Sequence, residues 1–246
     1  MNNYINNHTS NRYAIDDGLQ RYMVKVYAHM AFGLFITAIA AAVTYHSPPL
    51  IRLLFAFDQF GNMLDFTFFG SVVLFSPVLI VIYVRYKLSR ITFSHARYLL
   101  VLYAALWGVS LSGLMFIYTI DSLHTVFLVT ACTFSAMSIY GYTTKRDLTA
   151  LGSFCRMALF GLIISALVNF FLQSGAVYFL TSFIGVVVFI GFVAYDTQKL
   201  KKLYYEVQDT ALAKKVALIG ALHLYLDFIN IFLHLLQLWG KRKGRN

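Results

Sequence analysis

Charge is what this sequence has least of. Only 12% of its 246 residues are Asp, Glu, Lys or Arg, about half the share of an ordinary soluble domain. Three prolines and fifteen glycines are too few for a disordered or collagen-like chain. The two cysteines, Cys132 and Cys155, have no neighbour at metal-ligand spacing and read as small buried thiols. The first twenty residues are polar (Asn2, Asn3, Asn6, Asn7, Asp16, Asp17) and hold no signal-peptide core. The first apolar run must therefore act as insertion signal and permanent helix together. There is no HExxH, no GxSxG and no glycine-rich phosphate loop, so no enzymatic activity is expected.

Apolar residues fill the gap: they make up 59% of the chain, and aromatics alone 17%. A membrane-spanning helix needs about 20 mostly apolar residues, and seven segments qualify: 24–45, 66–84, 98–118, 123–142, 155–173, 177–195 and 214–238. The predicted fold is an all-α integral membrane protein with seven transmembrane helices in one domain. Residues 1–22 form a polar cytoplasmic N-terminal arm, 23–239 the transmembrane domain and 240–246 a basic C-terminal tail. The connections at 119–122 and 174–176 are short enough to force antiparallel hairpins. Gly108 with Ser112, and Gly161 with Ser165, have the spacing that lets helix backbones approach closely.

The net charge of +10 belongs to orientation rather than to nucleic acid. With the N-terminus cytoplasmic, that side holds fifteen of the twenty basic residues: Arg12, Arg21, Lys25, Arg85, Lys87, Arg90, Arg97, Lys145, Arg146, Arg156, Lys199, Lys201, Lys202, Lys214 and Lys215. The opposite loops hold Arg52, so the positive-inside rule sets the N-terminus inside. Lys241, Arg242, Lys243 and Arg245 face outward if the last helix crosses fully; otherwise that helix stops short.

The last apolar segment carries the chemistry. In ALHLYLDFINIFLHLLQLWG, residues His223, Asp227, Asn230, His234 and Gln237 are spaced four, three, four and three, which places them in one stripe of a helix. Such a stripe must face the bundle interior or a water-filled cavity. Asp227 is the costliest member, at roughly 2.5–3.5 kcal/mol near mid-span on insertion scales. Asp196, in VAYDTQKLKK, ends the sixth span and is either a solvated interfacial carboxylate or a second member of the site. Two carboxylates in one low-dielectric site titrate as a coupled pair, and Ca²⁺ could use their oxygens. Ser165, Asn169 and Gln173 follow at i, i+4 spacing, as interhelical hydrogen-bonding groups or pore lining. His223 and His234 lack the further His or Cys that zinc would need. Residues 216–240 contain no lysine for a retinal Schiff base.

Four segments, YGYTTKRDLTALGSF (140–154), MALFGLIISALVNFFLQS (157–174), FVAYDTQKLK (192–201) and LYLDFINIFLHLL (224–236), resemble the Bax inhibitor-1 (transmembrane Bax inhibitor motif) family in its bacterial branch. LQRYMVKVYAHMAFGLFITAIAA extends the resemblance into the first span. The resemblance implies six helices wrapped around a central seventh, and a multi-pass protein of the cell inner membrane acting as a pH-sensitive calcium leak channel. It makes Asp196 and Asp227 the sensor pair and possible Ca²⁺ ligands, and Arg85, in VIYVRYKLSR, the latch that pairs with the acid on the last helix. Asn169, His223, Asn230 and His234 are expected as pore-lining or supporting groups; neither histidine belongs to the family's motif. The implied partners are the bilayer and calcium or another cation. The rival expectation, also drawn from relatives, is a membrane-embedded regulator of a membrane-bound AAA protease or stress-survival complex.

Overall fold

The computed structural model describes residues 2–59, 63–87, 92–207 and 212–243, with side chains from Asp17 onward except those of residues 81 and 84–87. In chain order the elements are α1 (Asn2–Tyr45), α2 (Pro48–Leu54), β1 (Phe55–Phe57), β2 (Met63–Phe66), α3 (Phe68–Lys87), α4 (Phe93–Leu111), α5 (Leu114–Ile117), α6 (Ile120–Thr143), α7 (Thr149–Leu172), α8 (Gly175–Val207) and α9 (Leu212–Trp239).

Among the described residues, six helical segments are long and apolar enough to cross a membrane: Asp17–Tyr45, Phe93–Ile117, Ile120–Thr143, Thr149–Leu172, Gly175–Val207 and Leu212–Trp239. Their outward surfaces are apolar, with Phe170, Phe171, Phe160 and Leu128 exposed, as expected where lipid replaces water. The chain is therefore an all-α membrane protein. The expected span at 66–84 corresponds to α3, whose apolar part, Phe68–Ile80, is shorter and which carries Pro77 inside it.

Three boundaries differ from the sequence expectation. The polar arm is not a separate element, because α1 runs without a break from Asn2 through the first span. The third span is interrupted: α4 ends at Leu111, and α5 is a separate turn reaching Ile117. Between the first two expected spans the chain folds into α2 and an antiparallel hairpin, pairing Phe55 with Phe66 and Ala56 with Asp65. A periodicity search for spanning helices has no means of detecting so short a hairpin.

Sharp capping holds the connections short. Thr92 accepts from the His95 amide and Thr119 from the Ser122 amide, satisfying helix N-terminal donors. At the α7–α8 turn Gln173 adopts the left-handed conformation (φ 48°), and Asn169 Oδ1 accepts from the Ser174 amide at 3.0 Å. Asn169 is thus a turn residue, while Ser165 makes the interhelical bond, to Thr181 at 2.8 Å.

Packing concentrates on α9. In its most apolar window 61% of residues are buried, against 11–39% in the other five, and it packs against α8, α1, α6 and α4. Gly108 permits the closest approach of α4 to α1, since a Cβ there would strike the Thr37 carbonyl and the Ala40 side chain. Gly161 has no such role: nothing lies near its Cβ direction. Cys155 is buried, but Cys132 is exposed, so only one cysteine fits the buried reading.

The bundle has two distinguishable ends. At one, Lys201 Nζ donates to the Tyr142 carbonyl at 3.0 Å, joining α8 to the end of α6. At the other, the chain after α9 docks on the start of α6: Thr119 N donates to Lys241 O at 3.0 Å, Lys243 N to Ile117 O at 2.9 Å, and Lys241 N to Ser122 Oγ at 3.0 Å. Helix α9 therefore runs the full length of the bundle, and the basic residues Lys241, Arg242 and Lys243 lie at the end opposite Lys145 and Arg146.

Candidate intramembrane carboxylate cavity

Helices α7, α8 and α9 line a partly open cavity of about 580 Å³. Asp196 from α8 and Asp227 from α9 both line it, with Arg156, Tyr195, Lys199 and His223. Its remaining wall is largely apolar, including Leu159, Phe189, Phe192 and Leu226. A second cavity, of about 200 Å³, adjoins it and shares Asp196, Lys199 and His223.

The two acids differ in setting. Asp227 is 6% exposed, and its Oδ2 has no hydrogen-bond partner among the described residues. It lies near the middle of the 28-residue α9, about 22 Å from its start and about 18 Å from its end at 1.5 Å per residue. Asp196 is half-buried and sits near the α8 end that carries Lys199, Lys201 and Lys202. Both carboxylates line the one cavity from neighbouring helices.

Tyr195 organises the cationic side of the cavity. Arg156 Nη1 donates to its hydroxyl at 3.2 Å, the guanidinium lies 5.4 Å from the ring centre, and Lys199 Nζ lies 5.8 Å from the same ring. Gly152 makes room for that ring; any Cβ there would collide with it. Cation–π contact of this kind holds two positive side chains beside the acids without neutralising them.

Below this cluster, the α6–α7 connection is stitched to α8. Buried Gln198 accepts from the Leu148 amide at 2.9 Å and donates to the Arg146 carbonyl at 2.7 Å. Lys202 bonds Asp147 at 2.6 Å on the exposed surface. That bond, with help from Thr149, holds the Asp147 carboxyl below its usual range. The motif segments 140–154 and 192–201 are therefore one physical unit. Sequence reading singled out Asp196 from it and passed over Arg156, Tyr195 and Gln198; an Arg within an apolar run was the available signal.

The remaining expected residues are only partly brought together. His223 and Asn230 line the cavity, and the Asn230 amide also donates to the Leu226 carbonyl at 2.8 Å. His223 and Gln237, at the two ends of the stripe, are exposed rather than interior. His234 lies outside the cavity lining, stacked on Phe189. Asn169 belongs to the α7–α8 turn. Arg85 lies on α3, and its side chain falls outside the described residues. No cluster of three or more His, Cys, Asp or Glu occurs among the described residues. Two carboxylates fall short of the six to eight oxygen ligands that a resident Ca²⁺ takes.

Fold and cavity together define a polytopic helical membrane protein with two carboxylates in one cavity of the bundle. The chain belongs to the Bax inhibitor family: residues 19–244 match the family described as "Inhibitor of apoptosis-promoting Bax1". It is 43% identical over 235 residues to the uncharacterised protein RP147 of Rickettsia prowazekii, covering 96% of this chain and 95% of that one. It is 41% identical over 228 residues to the inner membrane protein YbhL of Escherichia coli, covering 92% and 94%. An uncharacterised protein of Borreliella burgdorferi is 39% identical over 225 residues, covering 91% and 93%.

Proposed function

We propose that this protein is a pH-sensitive cation leak pathway of the inner membrane, with Ca²⁺ as its cargo. The observation that carries the reading is the shared cavity: acids from two helices meet there, and the deeper one, Asp227, has an oxygen without a hydrogen-bond partner among the described residues. Intramembrane acids that face a cavity mark ion and proton paths. In this reading six helices, α3 among them, surround α9 as a central seventh. Asp196 and Asp227 share a proton in the closed state. Deprotonation of the pair, or release of Arg85, changes the spacing of the two carboxylates and shifts the equilibrium between closed and open states, which requires the two states to differ in proton affinity. Arg85 latches the closed state by pairing with Asp227. Arg156 and Lys199 beside the acids raise an electrostatic barrier to cations, which suits a slow leak. The N-terminus is cytoplasmic by the positive-inside rule, and the membrane assignment follows YbhL, an inner membrane protein by name.

The test is Ca²⁺ influx into liposomes holding the purified full chain, from pH 5 to 8, beside Asp227→Asn and Asp196→Asn. Flux that varies with pH in the wild type and loses that variation in both variants supports the proposal. No flux above empty liposomes at any pH, from protein that elutes as a folded species, removes it and favours the membrane-embedded regulator.

A further inference from the structure

The polar stripe on α9 does not continue as open space. From Asp227 the cavity reaches Asn230 and Phe189 and goes no further: His234, the next polar residue of the stripe, is not part of its lining. The imidazole of His234 instead fills the α8–α9 interface. Residue 185 is glycine there, and a Cβ would come within 2.5–2.6 Å of three atoms of the His234 ring. Phe189, one turn along α8, stacks on the same ring with centroids 5.7 Å apart and planes at 28°. One turn beyond His234, Gln237 Oε1 accepts from the buried Ser182 hydroxyl at 2.7 Å. Past that, Gly240 abuts the Tyr118 ring.

A histidine kept only for packing should have satisfied nitrogens or be replaceable by leucine. Here Nδ1 is buried without a hydrogen bond of normal geometry among the described residues, with Gln237 as a polar neighbour of the ring, a state that costs stability while the ring stays in place. A ring that is flat, held by stacking and a glycine socket, and short of one hydrogen bond is suited to leave its seat. Swung into an aqueous path, Nδ1 would gain water.

We infer that His234, seated in the socket of Gly185 and Phe189, is the plug that seals the aspartate cavity from the membrane face carrying the C-terminal tail. Its role in flux rests on the leak reading above; its role as a seal does not. His234 and Asp227 stand seven residues apart, about 10 Å along the helix, so the seal and the acids are separate parts of one path.

The experiment uses full-length protein in liposomes, with Cys132→Ser and Cys155→Ser removing the native thiols and Asn230→Cys placing one thiol in the cavity. A membrane-impermeant thiol reagent is supplied on the tail side. With His234 present, labelling is slow. In His234→Ala, and independently in Phe189→Ala, it should rise about tenfold or more, one decade for each 1.4 kcal/mol of barrier removed. His234→Phe, which restores a flat ring, should return it to the slow rate. Equal labelling with and without His234, in variants that elute as folded protein, overturns the plug. Ca²⁺ influx measured on matching liposomes, holding protein with Asn kept at position 230, should rise in His234→Ala. Faster labelling without any flux would leave the plug standing and remove the leak reading instead.

Discussion

The hydroxyls of Tyr225 and Thr37 meet at 2.7 Å across the contact between α9 and α1. Both side chains are buried, and Thr37 also donates toward the carbonyls of Ala104 and Gly33, each at 3.0 Å. Three helices, α1, α4 and α9, are thereby joined by one threonine. Tyr103 adds an edge-on contact with the Tyr225 ring, centroids 5.7 Å apart.

Removing one hydroxyl should be cheaper than removing the hub. Tyr225→Phe leaves Thr37 with two carbonyl acceptors and should cost about 0.6 kcal/mol, the mean for interhelical hydrogen bonds in a membrane protein. Thr37→Val strands the Tyr225 hydroxyl and should cost about 1–3 kcal/mol. Thermal unfolding in detergent checks the order; a larger loss for Tyr225→Phe would refute the hub assignment.

Asp227→Asn keeps the size of the side chain and removes its charge. Burying an ionisable group without a full set of partners is unfavourable, so this variant should unfold at the same temperature as the wild type or above it, while losing the pH response of flux. A fall in melting temperature of many degrees would instead show that the fold itself depends on the Asp227 carboxylate.

The surface bridge from Asp147 to Lys202 makes a different prediction about pH. Because the folded state lowers the Asp147 pKa, through Lys202 first and Thr149 second, its contribution is present above the unfolded value of about 3.9. It is lost as pH falls through the still lower folded value. The Asp147 carboxyl, held below its usual range, stays ionised between pH 5 and 8. Asp147→Asn should leave the shape of the flux profile in that window unchanged, and any effect on unfolding should appear only below about pH 4.

Gln198 should behave as a strut. Gln198→Leu leaves the Leu148 amide and the Arg146 carbonyl without their side-chain partner, at a cost of about 1–3 kcal/mol. Amide hydrogen exchange at residues 144–149 should accelerate while the interior of α9 stays protected. Uniform acceleration along the chain would instead indicate global destabilisation.

The sequence carried the apolar helices and Asp227 plainly, because lipid imposes length and polarity rules that single residues obey. What stayed hidden depends on contacts between distant segments. That Gln198 would clasp Arg146 and Leu148, or that Tyr195 would hold Arg156, follows from the docking of α8 on the α6–α7 connection, and no spacing within one helix encodes it. The polar stripe was legible as a stripe, but spacing could not tell that Asn230 ends in a cavity while His234 ends against a glycine. The break at Ser112–Gly113 and the hairpin at 55–66 were hidden for another reason: both lie in segments whose composition resembles their surroundings.

The heavy burial of α9 also bears on how the protein is made. Helix α9 comes last among the described helices, so the five other spanning segments are made before the element they are built to grip. Domains generally take shape from the N-terminal side during synthesis, yet here the Thr37 hydroxyl, the glycine at 185 and the Tyr118 ring all wait for partners made later. The assembly is a groove first and a bundle second. Asp227 enters the bilayer when its slot already exists, which spares an acidic residue from facing bare hydrocarbon alone.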